Sequence, residues 1–246
     1  MGCISPGGVE MIAEAIRGLG LAPGSRVLDI GCGEGDTIAR LTDEYGYVCA
    51  GIDKSGELIR LGRENHPRLD LRAGDAAQVG VIAPESFEAA LIECVLSVSK
   101  DPAAILSGAA RALKPDGYLL ISDLCGRDEV HNIGGSTGRQ GVGVASSRFL
   151  RVKFPSIVCG GLVLLYGLTE VLQGMGFSPI SFEDRSRDLD SFVAEKIFEY
   201  GSLEAYYAGT VPDGSDPREF FPGNTSPCVT RGRAPGYFLY VCRKGR

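Results

Sequence analysis

At 246 residues with 44% apolar side chains, the chain is long enough for a full core and has the apolar fraction of an ordinary soluble globule. Its net charge of −6 argues against a nucleic-acid surface, which needs a basic excess. No run of roughly eighteen apolar residues predicts a membrane-spanning helix.

Arg231, Arg233, Arg243, Lys244 and Arg246 do cluster, in the manner of a solvated C-terminal end. The opening Met1-Gly2-Cys3-Ile4-Ser5-Pro6 lacks the charged and apolar regions of a signal peptide, and Pro6 stands where a myristoylation signal needs Ser or Thr. A cytoplasmic protein is therefore expected. Its eight cysteines, none in a Cys-x-x-Cys pair, are expected to be mostly reduced thiols.

In chain order, Val9, Ile12, Ala13, Ile16 and Leu19 recur at helical spacing and predict a helix over 9–19. Ala22-Pro23-Gly24-Ser25 breaks it. Residues 26–30 read as a buried strand that runs into Gly31-Cys32-Gly33-Glu34-Gly35. A helix over 36–44 follows, with Ile38 and Leu41 facing a sheet. Strands are predicted at 47–52, ending in Asp53, and at 69–72, before Gly74-Asp75-Ala76. The nearly continuous apolar run at 87–94 suits a strand buried on both faces. Helices at 57–65 and 102–113 separate these strands, and Lys114-Pro115-Asp116-Gly117 turns into a fifth at 118–123. Such alternation implies right-handed crossovers and a parallel sheet, with ligands beyond the C-terminal strand ends.

After Asp123 the alternation stops. Residues 128–147, rich in Gly and Ser, are predicted to form a mobile lid, within a lid or cap insertion at about 124–160 of a single domain over 1–246. An apolar helix is expected over 160–174, ended by Met175-Gly176-Phe177, then a strand over 178–185 and an amphipathic helix over 189–200. A Pro- and Gly-rich loop over about 209–234 leads to a closing strand at 237–243.

The glycine turn is the centre of the functional reading. Glycine takes backbone angles that a Cβ forbids and lets a chain approach a ligand, while the amides opening the next helix point over the turn. A dinucleotide fingerprint needs its third glycine one residue later, where Asp36 stands. Asp29, Glu34 and Asp36 also put three carboxylates where two phosphates would go. A cationic ligand suits the turn better. Asp53, twenty-two residues after Gly31, can accept both ribose hydroxyls of an adenosine, whichever cofactor carries it. Asp75 can accept from an adenine amino group while the Ala76 amide donates to the ring; Asp75 also suits a helix N-cap. Glu93, ending the fourth strand, is the best-placed carboxylate for an acceptor.

Val27-Leu28-Asp29-Ile30-Gly31-Cys32-Gly33-Glu34-Gly35, Gly51-Ile52-Asp53, Gly74-Asp75-Ala76, Phe87-Glu88-Ala89-Ala90 and the run from Leu113 to Asp123 follow one another at family spacing. The ordered set resembles the class I S-adenosylmethionine (SAM) methyltransferases. The resemblance implies a Rossmann-like, doubly wound α/β sheet of seven strands with an antiparallel last strand, formed by 178–185 and 237–243. It implies SAM as cofactor, with Asp29, Gly31 and Gly33 along its methionine portion and Cys32 inside the turn, more as packing than as chemistry. Asp53 and Lys54 would meet the ribose, Asp75 and Ala76 the adenine, and Glu93 the acceptor or the sulfonium. The implied activity is methyl transfer to a small-molecule acceptor by in-line displacement, which needs near-attack positioning rather than a covalent intermediate. A SAM-binding sensor or assembly partner without transferase activity is the alternative. An NAD-dependent oxidoreductase is disfavoured by Asp36.

A narrower resemblance is carried by Glu93-Cys94-Val95-Leu96-Ser97, Ser122-Asp123-Leu124 and Cys159-Gly160-Gly161-Leu162. These look like the arsenite methyltransferase branch, which places a substrate-binding cysteine, here Cys159, before a Gly-Gly pair. That implies a thiol or metalloid acceptor. Ile38 and Phe238, however, stand where that branch has further arsenic-binding cysteines. Cys159 equally reads as a small buried thiol at a helix start, a position that would favour its thiolate. His66 and His131 are isolated, so no metal site is expected.

Overall fold

A computed structural model describes residues 5–78, 82–134, 157–159, 161–203, 205–206 and 235–246. The elements are α1 (Gly8–Gly18), β1 (Arg26–Ile30), α2 (Asp36–Tyr45), β2 (Val48–Asp53), α3 (Gly56–Asn65), β3 (Asp70–Ala73), β4 (Phe87–Glu93), α4 (Pro102–Ala112) and β5 (Leu113–Gly126). There follow α5 (Arg127–Gly134), the two-residue strands β6 (Val158–Cys159) and β7 (Leu162–Val163), α6 (Leu165–Gly174), β8 (Phe177–Asp184), α7 (Ser186–Tyr200) and β9 (Pro235–Lys244).

Seven long strands lie in the order β3-β2-β1-β4-β5-β9-β8. The first five are parallel, and β9 runs antiparallel between β5 and β8. The seven-strand sheet with an antiparallel last strand is therefore as the family pattern implies. The small β6–β7 hairpin joins it at one point, Cys125 with Val163. The chain winds outward from β1 to β3 and then returns to β4, so the strand order reverses between β1 and β4. Open α/β sheets bind ligands at that crevice.

Side chains alternate across the sheet. Val27, Leu91, Leu120 and Leu239 pack on one face against Ile12 and Ile16 of α1, Ile38 and Leu41 of α2 and Leu189 of α7. Leu28, Ile30, Ala90 and Ile121 pack on the other face against Leu106 and Ala109 of α4 and Leu168 and Leu172 of α6. Ala89, Ala90, Leu91 and Ile92 are fully buried, which explains why β4 reads as an unbroken apolar run. Ser55 caps α3 by accepting from the Leu58 amide at 3.3 Å, and Asp101 caps α4 by accepting from the Ala104 amide at 2.9 Å. No side chain caps α2, whose first amides follow directly on the glycine turn.

Beyond Asp123 the structure departs from the sequence expectation. The helix expected over 160–174 begins only at Leu165, because Glu129 of α5 accepts from the Leu165 amide at 2.9 Å and supplies the cap there. Leu162 and Val163 are instead drawn into the hairpin against β5. Cys159 therefore lies on a strand rather than at a helix start. β5 starts at Leu113 rather than 118, since Lys244 of β9 donates to the Leu113 carbonyl at 2.7 Å and holds that end in the sheet. The first part of the expected lid is α5 (Arg127–Gly134). Residues 135–147 of the expected lid and the whole expected loop over 209–234 lie outside the described residues. Among the described residues, no helix is long and apolar enough to cross a membrane.

Candidate functional site

Strand register builds the site. Asp29 of β1 pairs with Gly51 of β2 and with Leu91 of β4. Two residues further along each neighbour stand Asp53 and Glu93, on the same face as Asp29 because side chains alternate. Three carboxylates thus line the C-terminal ends of three adjacent strands, under α1 and α2. Asp29 is 2% exposed and its Oδ1 has no hydrogen-bond partner. Glu93 Oε2 accepts from Ser5 Oγ, on the segment leading into α1, at 3.3 Å, and Thr37 of α2 also hydrogen-bonds this carboxylate. Asp53 ties the turn to α3: it accepts from the Gly33 amide at 3.0 Å and from the Ser55 amide at 2.8 Å.

Among the described residues no cation acts on Asp29 or Glu93. Burial holds the Asp29 carboxyl well above the usual range, with Glu93 and Asp53 adding like-charge repulsion. Burial pushes Glu93 up to about 7, partly offset by the Thr37 and Ser5 hydrogen bonds. No three His, Cys, Asp or Glu side chains among the described residues could hold a metal ion. An unpaired anionic row with an orphaned buried oxygen fits a cationic organic ligand instead.

The glycine turn beside this row fits the same ligand. Gly31 has φ 82°, and a Cβ there would lie 2.2 Å from Val95 Cγ2. Gly33 has φ 55°, and a Cβ there would project into open space. Cys32 turns away and packs over Gly51, where a Cβ would come within 2.6 Å of its Sγ. Burial and the nearby Asp29 and Asp53 hold its thiol protonated, so Cys32 is packing.

Of the three carboxylates expected around the turn, the structure keeps only Asp29. Asp36 Oδ1 is 2.9 Å from His66 Nε2, and Glu34 Oε2 accepts from Asn65 Nδ2 at 2.9 Å. Both are engaged by the far end of α3, from residues thirty or more positions away that local reading cannot pair with them. Asp53 and Glu93 take their place in the acidic cluster. Lys54 is exposed just past Asp53. Asp75 and Ala76 follow β3, the strand next to β2, and the Gly74 amide donates to the Asp53 carbonyl at 2.8 Å. Asp75 Oδ1 accepts from the Ala77 amide at 2.9 Å, and Ala76 is buried where a Cβ on Gly108 of α4 would come within 2.4 Å of its carbonyl. Cys159 stands apart from this group, on the hairpin at the end of β5.

Sequence reading missed a continuation of the row. Ser122 of β5 pairs with Glu93, and Leu124 pairs with Tyr237 of β9. The fully buried Tyr237 hydroxyl donates to Ser122 Oγ at 3.1 Å and lies 3.4 Å from Cys94 Sγ. Burial raises the Tyr237 phenol further, so it stays a neutral donor. On the opposite face Asp123 accepts from the Ser97 amide at 3.0 Å and the Leu124 amide at 2.7 Å, fixing the turn after β4; burial raises it to about 6. In the sequence Tyr237 looks like one more core residue of an apolar strand, and only the β5–β9 pairing reveals its partners.

Residues 21–141 match the family model described as a methyltransferase domain. The ubiquinone biosynthesis O-methyltransferase of Xanthomonas campestris pv. campestris (strain B100) is 36% identical over 109 residues, 42% of this chain and 44% of that protein. The chain spans less than half the length of the curated relatives it matches. Among solved structures, the [4+2]-cyclase SpnF aligns with a TM-score of 0.67 at 23% identity, over 96% of this chain and 79% of that one. The phosphoethanolamine N-methyltransferase 2 of Haemonchus contortus, in complex with S-adenosyl-L-methionine, aligns with a TM-score of 0.65 at 19% identity, over 100% of this chain and 54% of that one. Residues 21–141 are thus similar to a methyltransferase domain, and the described sheet has the fold of these solved structures.

Proposed function

We propose that the chain transfers a methyl group from SAM to a small organic acceptor. The observation that carries this reading is the row Asp53–Asp29–Glu93, with Asp29 buried and no cation acting on Asp29 or Glu93 among the described residues, beside the open Gly33 backbone. A sulfonium and an ammonium suit such a row; a pyrophosphate does not. The 36% identity to an O-methyltransferase over the cofactor half supports it.

SAM supplies an electrophilic methyl group when bound. In this reading Asp29, Gly31 and Gly33 line its methionine portion, Asp53 and Lys54 hold the ribose, and Asp75 with the Ala76 amide reads the adenine. The neighbouring α1 and α2 shield Asp29 from water, and strands β1 and β4 orient the row. Glu93 stands toward the acceptor side. Poised at about 7, its carboxylate matches the requirement for a base that takes an acceptor's proton near neutral pH. Placement of donor and acceptor in line supplies most of the rate.

A thiol or metalloid acceptor is the weaker form of this proposal. Ile38 and Phe238 are both fully buried apolar residues, so neither position offers a soft ligand beside Cys159. Weak or no arsenite methylation is expected. A SAM-binding role without transfer remains the second reading, favoured by one observation: the [4+2]-cyclase SpnF shares this fold.

The first test is a thermal shift. S-adenosylhomocysteine should raise the melting temperature of the protein, and Asp53→Ala should weaken its binding at least tenfold, about 1.4 kcal/mol. A larger shift with NADH would overturn the assignment. Transfer of labelled methyl to a panel of hydroxyl, amine and thiol acceptors then separates a transferase from a binding protein.

A further inference from the structure

The three carboxylates pose a charge problem that the described residues around them do not solve. The groups packed around Asp29 and Glu93 come from every neighbouring element. Cys32 comes from the turn, Asp53 and Cys49 from β2, Thr37 from α2, Ser5 from the segment before α1, Cys94 from the end of β4, and Tyr237 from β9. Apart from Asp53, these are hydroxyls, thiols and a phenol. Burial keeps Cys32, Cys49 and Tyr237 protonated, Cys49 at about 11. The Ser5 and Thr37 hydroxyls donate hydrogen bonds to Glu93 but bring no positive charge. Lys54 is exposed, and His66 is taken by Asp36. Asp29, buried, and Glu93, on the same face of the adjacent strand, have no cation beside them among the described residues and do not both stay ionised.

We propose that Asp29 and Glu93 together hold one proton in the cofactor-free protein, and that a bound cationic ligand displaces it to solvent. The inference rests on the reading that this site takes SAM, whose cationic groups would supply the missing charge. The proton belongs to the pair rather than to either residue. Loading the donor then leaves Glu93 ionised as the acceptor arrives, so the base becomes competent only when there is a methyl group to transfer. Ser5 and Thr37 position Glu93 for this exchange by occupying its outer lone pairs.

Calorimetric titration with S-adenosylhomocysteine, which carries an ammonium but no sulfonium, tests the exchange. Each titration is run in two buffers of different ionisation heat, so that the difference counts protons. At pH 6 the amine of the ligand is already protonated, and close to one proton should be released per site. At pH 8 the release should fall below a third of a proton. Apparent affinity should rise up to tenfold per pH unit between pH 5.5 and 6.5 and level off above pH 7.5. In Glu93→Gln the pair is reduced to one carboxylate, and release at pH 6 should drop toward zero while weaker binding persists; Asp29→Asn should do the same. Wild-type binding at pH 6 with no proton released overturns the exchange and leaves the methyl-donor reading standing. No binding of S-adenosylhomocysteine at either pH overturns both.

Discussion

The two halves of the sheet build their parts of the site in different ways. On the β1–β3 side the functional groups are backbone amides and strand-end carboxylates, placed largely by residues close in sequence, Asp53 by Ser55 and Asp75 by Ala77, with one longer tie from Asp53 to the Gly33 amide. On the β5–β9 side the groups meet only through long-range pairing. Tyr237 reaches Ser122 across 115 positions, and Glu129 caps α6 across 36. Local geometry repeats from protein to protein and leaves a motif. Long-range pairing leaves none.

Three changes would break or sharpen that contrast. The largest effect is expected from Gly31→Ala, which meets both a left-handed φ and a side chain at 2.2 Å. It should cost about 3 kcal/mol or more in chemical denaturation, and S-adenosylhomocysteine should no longer protect the variant. A variant as stable as the wild type would show that the turn tolerates a shift of Val95.

The next effect is of pH. Glu93 at about 7 and Asp123 at about 6 both lie above their unfolded values, so the folded state binds more protons than the unfolded one. Stability from these groups is fully present at low pH and is lost as pH rises through 6 to 7. The denaturation midpoint of the cofactor-free protein should therefore be higher at pH 5.5 than at pH 8, by about 2 kcal/mol in stability. Glu93→Gln and Asp123→Asn should each flatten part of this slope, and Asp29, also held above the usual range by burial, carries a further part. Carboxylates held low by arginine, such as Glu57 and Asp70, lose their contribution only at more acidic pH and do not disturb this window. A midpoint that rises with pH between 5.5 and 8 would contradict the burial of both groups.

The smallest effect is expected from Tyr237→Phe. It removes the donor to Ser122 and the contact with Cys94, at about 1 kcal/mol. Affinity for S-adenosylhomocysteine should stay within about twofold, because Tyr237 lies beyond β4 and β5 from the glycine turn. A tenfold loss would show that the two halves are one unit energetically.

These differences also explain what was legible in the sequence. Up to Asp123 the apolar periodicity tracks the real strands and helices within a few residues, because each is buried by the layer next to it. Asp29, Gly31, Gly33, Asp53 and Glu93 do converge, since strand ends in a parallel sheet share one edge. Asp36 and Glu34 were misleading because their partners, His66 and Asn65, come from the end of α3. The start of α6 and the position of Cys159 were illegible for the same reason: a carboxylate of α5 and the edge of β5 decide them, not the Gly-Gly pair.

The antiparallel β9 has a consequence for how the molecule is made. It is inserted between β5 and β8, pairing with nine residues of the first and seven of the second. On the ribosome β5 is finished long before β9 exists, with an interval on the order of ten seconds at ordinary elongation speed. Through that time the nascent chain exposes the unpaired edge of β5, joined midway by that of β8, the kind that recruit other chains. Translation stalled in this interval would release a product that carries the whole glycine turn yet has no closed sheet. Quality control acting on such fragments, rather than the chemistry of the site, would then set how much intact protein the cell accumulates.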